Sequence, residues 1–371
     1  MRALCVGSAT IDVIIIVADR DIERVSFANA TQAFLMLEEG RKIEARTITR
    51  HLGGGAVNAA VGMARQGVDA GVFGKIGRDR DGDEVIDGLR KQRVEPRFLL
   101  RTDVQPTGFA AMVSAHERNA TIFTQRGANT LLRPPEIKPA MFEKCDLVYV
   151  APLSNRSADC LATLIDQGKR AEAFVAVNPG IRQILSRTPL LIGALNRIDL
   201  LTINATEAAA LAPALADLEG DEDEEALIAE WSDQDPPPLL ARGLSHAGYD
   251  VGLATFFRRM RRKGARRVVV TDGGDGAWLC GGRTLVHMPT LKTEVMGTAG
   301  AGDAFASTLA SRLADGEDEE TALRAAAVNA AGAVSAPDTQ SGLLTRAEIE
   351  IRAAEAADRL HIRRWRWAAD A

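Results

Sequence analysis

Aromatic side chains are scarce, with Phe, Trp and Tyr making up 5% of the 371 residues. Single-stranded nucleic acid is bound on stacked aromatics, and duplexes are bound on basic surfaces. The chain offers neither, since its formal net charge is −5. Cysteine is sparse too: Cys5, Cys145, Cys160 and Cys280 never fall at Cys-x-x-Cys spacing. They read as reduced thiols, with no metal site implied. The five histidines are scattered, with no His-x-x-x-His pair. No stretch approaches the roughly 18 uninterrupted apolar residues of a membrane span. The apolar N-terminal run is broken by Asp12 and preceded by a single charge, Arg2, so it does not read as a signal peptide. The expectation is a cytoplasmic protein with no nucleic-acid or membrane partner.

What is present is the profile of a globular protein, 46% hydrophobic and 26% charged. Short apolar runs at 3–9, 70–77, 146–151, 173–179, 198–204 and 266–273 alternate with helical patterns at 56–67, 82–92 and 157–170. The runs at 173–179, 198–204 and 266–273 are β-branched, with a polar or glycine residue at or next to the C-terminal end. This predicts an α/β fold with a mostly parallel sheet covered by helices on both faces, with ligands at the C-terminal strand ends. Residues 34–50 and 97–125 read instead as β-ribbons, the latter turning at "HERNA". They predict a small separate sheet, as a lid or an oligomer contact. The acidic run and proline cluster within 217–247 predict a surface insertion. The C-terminal "RLHIRRWRWAADA" reads as a helix end packing its two tryptophans on the body.

Four constellations carry chemistry. In "GTAGAGDAFAST" (297–308) a glycine-rich turn opens a helix near Ala301 or Gly302, and Asp303 falls in its first turn. Bare amides there suit an anion. A phosphate on those amides beside a carboxylate suggests an alcohol between them, its proton going to Asp303. A plain helix N-cap explains the same residues. "GGGAVNAA" (53–60) places three glycines before a helix and Asn58 in its first turn. Its spacing does not match the dinucleotide fingerprint Gly-x-Gly-x-x-Gly. "NATE" (204–207) brings Asn204 and Glu207 to one strand-to-helix turn, which suits hydrated Mg2+ or a simple capping box. "TDGGDG" (271–276) suits a loop over a nucleotide, or a hairpin turn.

Together and in this order, these segments resemble the PfkB (ribokinase-like) carbohydrate kinases. The resemblance extends to "VGSATID", "GKIGRDRDG", "PTGFAAMVS" and "AAAVNAAGAV". It implies a ribokinase-like three-layer αβα sandwich, one domain over 1–371, with a lid formed by about 13–52 and 96–126. It implies transfer of the γ-phosphoryl group of ATP to a sugar, with Asp303 as base and Gly300, Ala301 and Gly302 as the anion hole. By the same resemblance Asp12, Gly54, Gly55 and Asn58 line the sugar site. Thr271, Gly273, Gly274, Gly276 and Asn329 flank the nucleotide, and Asn204 and Glu207 organise Mg2+ through water. The lid is also where such kinases often form a homodimer. Two positions depart from the pattern. Gly297 stands where the family commonly has Asp, which leaves a potassium (K+) requirement open, and Gly55 stands where ribokinases carry Lys, which weakens ribose as substrate. A nucleoside kinase with Phe109 or Phe123 at the base, or a non-catalytic sensor on the same scaffold, are the alternatives.

Overall fold

The strand Arg2–Val6 shows how the main sheet is buried. Ala3 and Cys5 belong to one buried cluster, Leu4 and Val6 to a second. The split recurs in Leu147–Val150, where Leu147 and Tyr149 face the first cluster and Val148 and Val150 the second. Successive strand side chains leave on opposite faces, so a strand apolar at every position needs helices on both sides. The helices Gly55–Arg65, Ala301–Ala314 and Glu319–Val334 cover the first face. Leu161–Arg170, Ile181–Ile192, Ala205–Leu211 and Leu253–Arg262 cover the second.

The structure is a computed structural model describing residues 1–18, 23–26, 33–36, 38–114, 121–216, 227–230, 235–282 and 284–367. Among the described residues the main sheet has eleven strands. A parallel run leads from Arg267–Thr271 through Leu200–Asn204, Phe174–Val177, Leu147–Val150, Arg2–Val6 and Asp69–Gly77 to Glu95–Thr102. Beyond Arg267–Thr271 the sheet continues antiparallel through Ala277–Gly281, Thr284–Met288, Arg363–Trp367 and Leu227–Ala229. A separate four-stranded sheet is ordered Ala45–Gly53, Thr10–Val17, Gly108–Ser114, Thr121–Gln125. It exposes Ile48 and Phe123.

Four expectations change. Residues 97–102 do not belong to the small sheet: Glu95–Thr102 pairs parallel with Asp69–Gly77 as an edge of the main one. The helix Arg80–Lys91 lies between those two strands in the chain, so they form a strand–helix–strand crossover. The C-terminal tryptophans do pack on the body, but from a strand. Arg363–Trp367 alternates with period two, burying Trp365 and Trp367 and exposing Arg364 and Arg366. The insertion is not wholly superficial, because Leu239 and Leu244 are buried in the second cluster. Its acidic run, 217–226, and the "HERNA" turn lie outside the described residues. The helix expected over 157–170 begins as a 3-10 segment, Asn155–Cys160, and is α-helical over Leu161–Arg170. No helix among the described residues is long and apolar enough to cross a membrane.

Candidate active site

Two helix starts meet at Asp303. The helix Ala301–Ala314 is opened by Gly300, whose φ of 82° is left-handed. A Cβ there would lie 2.9 Å from the Thr339 Cβ, so the turn is reserved for glycine on both backbone and space. The residue after Ala301, Gly302, faces open space. Phe305, Leu309 and Leu313 bury the other side of this helix in the first cluster. The second start is that of Gly55–Arg65, where Gly55 N donates to Ser8 Oγ at 3.0 Å. A Cβ built on Gly55 would sit 3.5 Å from Asp303 Oδ1. Both helix N-termini thus favour negative charge at one point.

Asp303 nevertheless ionises late. Burial pushes its carboxyl up to about 6, opposed by a hydrogen bond from Asn58 and reinforced by the charge of Asp12. The Asn58 Nδ2 donates to Asp303 Oδ2 at 2.9 Å. Asp12, on the strand Thr10–Val17, is itself 7% exposed, and its carboxyl is raised by burial. Thr10 Oγ1 donates to Asp12 Oδ1 at 2.8 Å. Gly53 lies so close that an added Cβ would fall 2.0 Å from Asp12 Oδ2. The neighbouring Gly54, expected among the sugar contacts, caps the helix, and a Cβ there would lie 2.5 Å from the Ser8 carbonyl oxygen. The glycine that makes room for Asp12 is therefore Gly53.

Asn58 is held from three sides. Besides donating to Asp303, its Oδ1 accepts from Thr339 Oγ1 at 3.0 Å and from Gln340 Nε2 at 3.1 Å. These two donors fix which end of the amide points at the carboxylate. The expectation that Asn58 simply binds sugar hydroxyls thus meets a side chain largely engaged within the protein. The segment 338–340 was not singled out from the sequence. Its signal was the polar turn run "PDTQSG" after an alanine-rich helix, with Asp338 Oδ1 accepting from the Gln340 and Ser341 amides at 2.8 Å each.

The remaining expected residues lie elsewhere along the C-terminal edge of the sheet or in the core. Asn204 and Glu207 form the capping box, each side chain accepting from the other's backbone N–H at 2.9 Å. Burial raises the Glu207 carboxyl, and the backbone of Asn204 and Ile181 partly restores it. No group of three or more His, Cys, Asp or Glu among the described residues is placed to hold a metal directly. One carboxylate and one amide, both capping, match an ion that keeps its waters better than one stripped of them. Residues Thr271 to Gly276 form a turn between antiparallel strands, with Gly273 and Gly274 facing open space and Gly276 packed on the Met288 carbonyl. Asn329, expected beside the nucleotide, lies in the helix Glu319–Val334. Its side chain is fully buried, donates to Thr308 Oγ1 at 2.8 Å and accepts from Leu344 N at 2.9 Å, so it ties its helix to Ala301–Ala314 and to the segment ahead of Arg346–Glu355.

The chain is similar to known kinases in sequence and in fold. The chain is 25% identical over 340 residues to a 2-dehydro-3-deoxygluconokinase of Bacillus subtilis, covering 88% of this chain and 94% of the relative. Its fold matches a nucleoside kinase of Methanocaldococcus jannaschii, described as an archaeal member of the ribokinase family. The TM-score is 0.69 at 18% identity, over 95% of this chain and 98% of the other. It also matches a putative ribokinase II from E. coli in complex with ATP and Mg2+, at TM-score 0.71 and 16% identity over 95% and 99% of the two chains. The model of the pfkB family of carbohydrate kinases matches residues 2–233 and 254–346. That match spans nearly the whole chain, including both glycine-led helix starts, and the protein belongs to the pfkB family of carbohydrate kinases.

Proposed function

We propose that this kinase transfers the γ-phosphoryl group of ATP to a sugar hydroxyl, with Asp303 as the general base. The observation that carries the reading is the convergence at Asp303: two helix starts, an orienting amide and a carboxyl raised to about 6. A base with that affinity is ionised at neutral pH yet holds a proton better than an exposed aspartate does. The hydroxyl oxygen attacks the γ-phosphorus while its proton passes to Asp303. The bond from phosphorus to the bridging oxygen breaks, and ADP leaves. The amides of Gly300, Ala301 and Gly302 receive the charge on the transferring group, and the open space at Gly302 leaves them reachable.

Asp12 would accept from a second sugar hydroxyl and so set the acceptor's orientation. The four-stranded sheet that carries it would close over the sugar as a lid, and its exposed Ile48 and Phe123 are the surface a homodimer would cover. The turn at Gly273 and Gly274 is open to a nucleotide. Mg2+ bound to the phosphates would neutralise their charge, with Asn204 and Glu207 reached through water. ADP release from Mg-ATP across neutral sugars, acidic sugars and nucleosides tests the reading, with Asp303→Asn alongside. Turnover that needs Asp303 supports it. Equal turnover by the variant removes Asp303 as base, and turnover on nucleosides alone selects the nucleoside-kinase alternative.

A further inference from the structure

Residues 234–253 lie between the two stretches that the family model matches, so they stand outside the pattern this chain shares with its relatives. They are nevertheless anchored. Pro238–Arg242 is a short helix, and Leu244–His246 pairs antiparallel with Tyr249–Val251. Leu239 and Leu244 are buried in the second cluster, one before and one after Arg242 in the chain. Between Arg242 and Leu244, Gly243 takes a φ of 70°, and a Cβ there would fall 2.7 Å from the Val251 carbonyl oxygen. The backbone at Arg242 is therefore fixed by apolar burial on both sides and by a turn that favours glycine.

Arg242 reaches the turn Thr271 to Gly276. Its Nη2 donates to Asp272 Oδ1 at 2.5 Å, and its Nη1 lies 3.6 Å from Asp275 Oδ2. Asp272 is the more enclosed acid, its side chain 8% exposed, and its Oδ2 has no hydrogen-bond partner among the described residues. Other contacts hold the backbone of the turn. His287 Nε2 donates to the Asp275 carbonyl and Thr290 Oγ1 to the Gly273 carbonyl, at 2.9 Å each. Among the described residues, both carboxylates are left to Arg242. The turn starts beside the Asn204 cap, because Thr271 is in register with Asn204 on the neighbouring strand. The insertion touches that side too: Leu244–His246 packs on Ala205–Leu211, the helix that Asn204 caps.

Two carboxylates in a turn offered to a polyanion are electrostatically adverse. Gly273 and Gly274, which stand between them in the chain, face open space. Without a cation, Asp272 would be an enclosed charge with no partner, and it would repel an anionic nucleotide or move the turn. A guanidinium fork that engages both acids neutralises them and fixes the spacing between them. We propose that Arg242 is a positioning residue of the nucleotide site, by which the 234–253 insertion holds the Thr271 to Gly276 turn in its binding shape. The inference rests on the kinase reading above, in which that turn meets ATP.

Calorimetry of Mg-ATP binding to the full chain without acceptor tests it, on Arg242→Gln, Arg242→Lys and Arg242→Gln combined with Asp272→Asn. Arg242→Gln should weaken binding about tenfold or more, because a carboxylate is left enclosed and unpaired. Arg242→Lys keeps the charge without the fork and should recover part of the loss. The double variant should recover most of it, because the stranded charge is gone. In turnover, the ATP KM should rise while the acceptor KM stays near the wild-type value, a split that a general loss of stability does not produce. Thermal melts accompany each variant, and if Arg242→Gln loses its cooperative melt, Arg242→Lys against wild type carries the same comparison. Unchanged Mg-ATP binding in the variants overturns the proposal and leaves the kinase reading standing. A double variant as weak as Arg242→Gln also overturns it, since Arg242 would then act on the nucleotide and not on the turn. A wild-type chain that binds no Mg-ATP overturns the kinase reading, and the proposal with it.

Discussion

Replacing Asp303 by Asn should abolish turnover and at the same time stabilise the protein. The carboxyl rises from 3.8 to about 6 on folding, chiefly through burial. A group whose folded pKa is raised contributes stability below its unfolded pKa and loses it as pH climbs through the folded value. The window is therefore about pH 4 to 6, and above it the ionised carboxylate opposes folding. The displacement is about two pKa units, or about 3 kcal/mol at 1.36 kcal/mol per unit. The amide that replaces the carboxylate carries no charge, and its oxygen can still accept from Asn58 Nδ2. At roughly 2.1 cal/mol/K per residue, a chain of 371 residues unfolds with an entropy near 0.8 kcal/mol/K, so the melting temperature should rise by about 4 °C. Calorimetry at pH 8 and pH 4 reads this directly. The gain should be present at pH 8 and shrink towards pH 4, while kcat falls by about 100-fold or more. A lower melting temperature at pH 8, or a gain independent of pH, would refute the argument that burial of this charge is what tunes the base.

Further outcomes follow from the same geometry. The kcat/KM of the wild type should rise with pH through about 6, because the ionised form of Asp303 is the proposed base. Asn58→Ala removes the hydrogen bond that favours that form, so the acid limb should move up by about one unit or more and activity should recover at high pH; an unmoved limb would separate Asn58 from the base. Asp12→Ala should raise the sugar KM far more than the ATP KM, and an equal rise in both would take Asp12 out of the acceptor pocket. Gly300→Ala forces a left-handed residue against Thr339, at about 1–2 kcal/mol for the backbone alone. Thermal melts should show that loss together with collapse of kcat. Leu244→Ala should destabilise by about 2–5 kcal/mol as a buried core change, and a denaturant midpoint like that of the wild type would return this stretch to the surface.

The sequence by itself determined the layered α/β fold and pointed to the segment where the chemistry is proposed. Six buried strands announced themselves as short, mostly apolar runs without alternation, a pattern set by two covering layers. Asp303 was legible because glycines before a helix leave amides exposed whatever the rest of the chain does. Alternation also marked Arg363–Trp367, where Arg and Trp take opposite faces, although the two tryptophans first suggested a helix end. What only the tertiary structure decided were contacts between residues far apart in the chain. Asn58 reaches Asp303 across 245 positions, and the segment 338–340 that orients it carries no helical or strand period. The role of Asn329 turned on burial, since a helical asparagine looks the same whether it faces a ligand or a threonine hydroxyl.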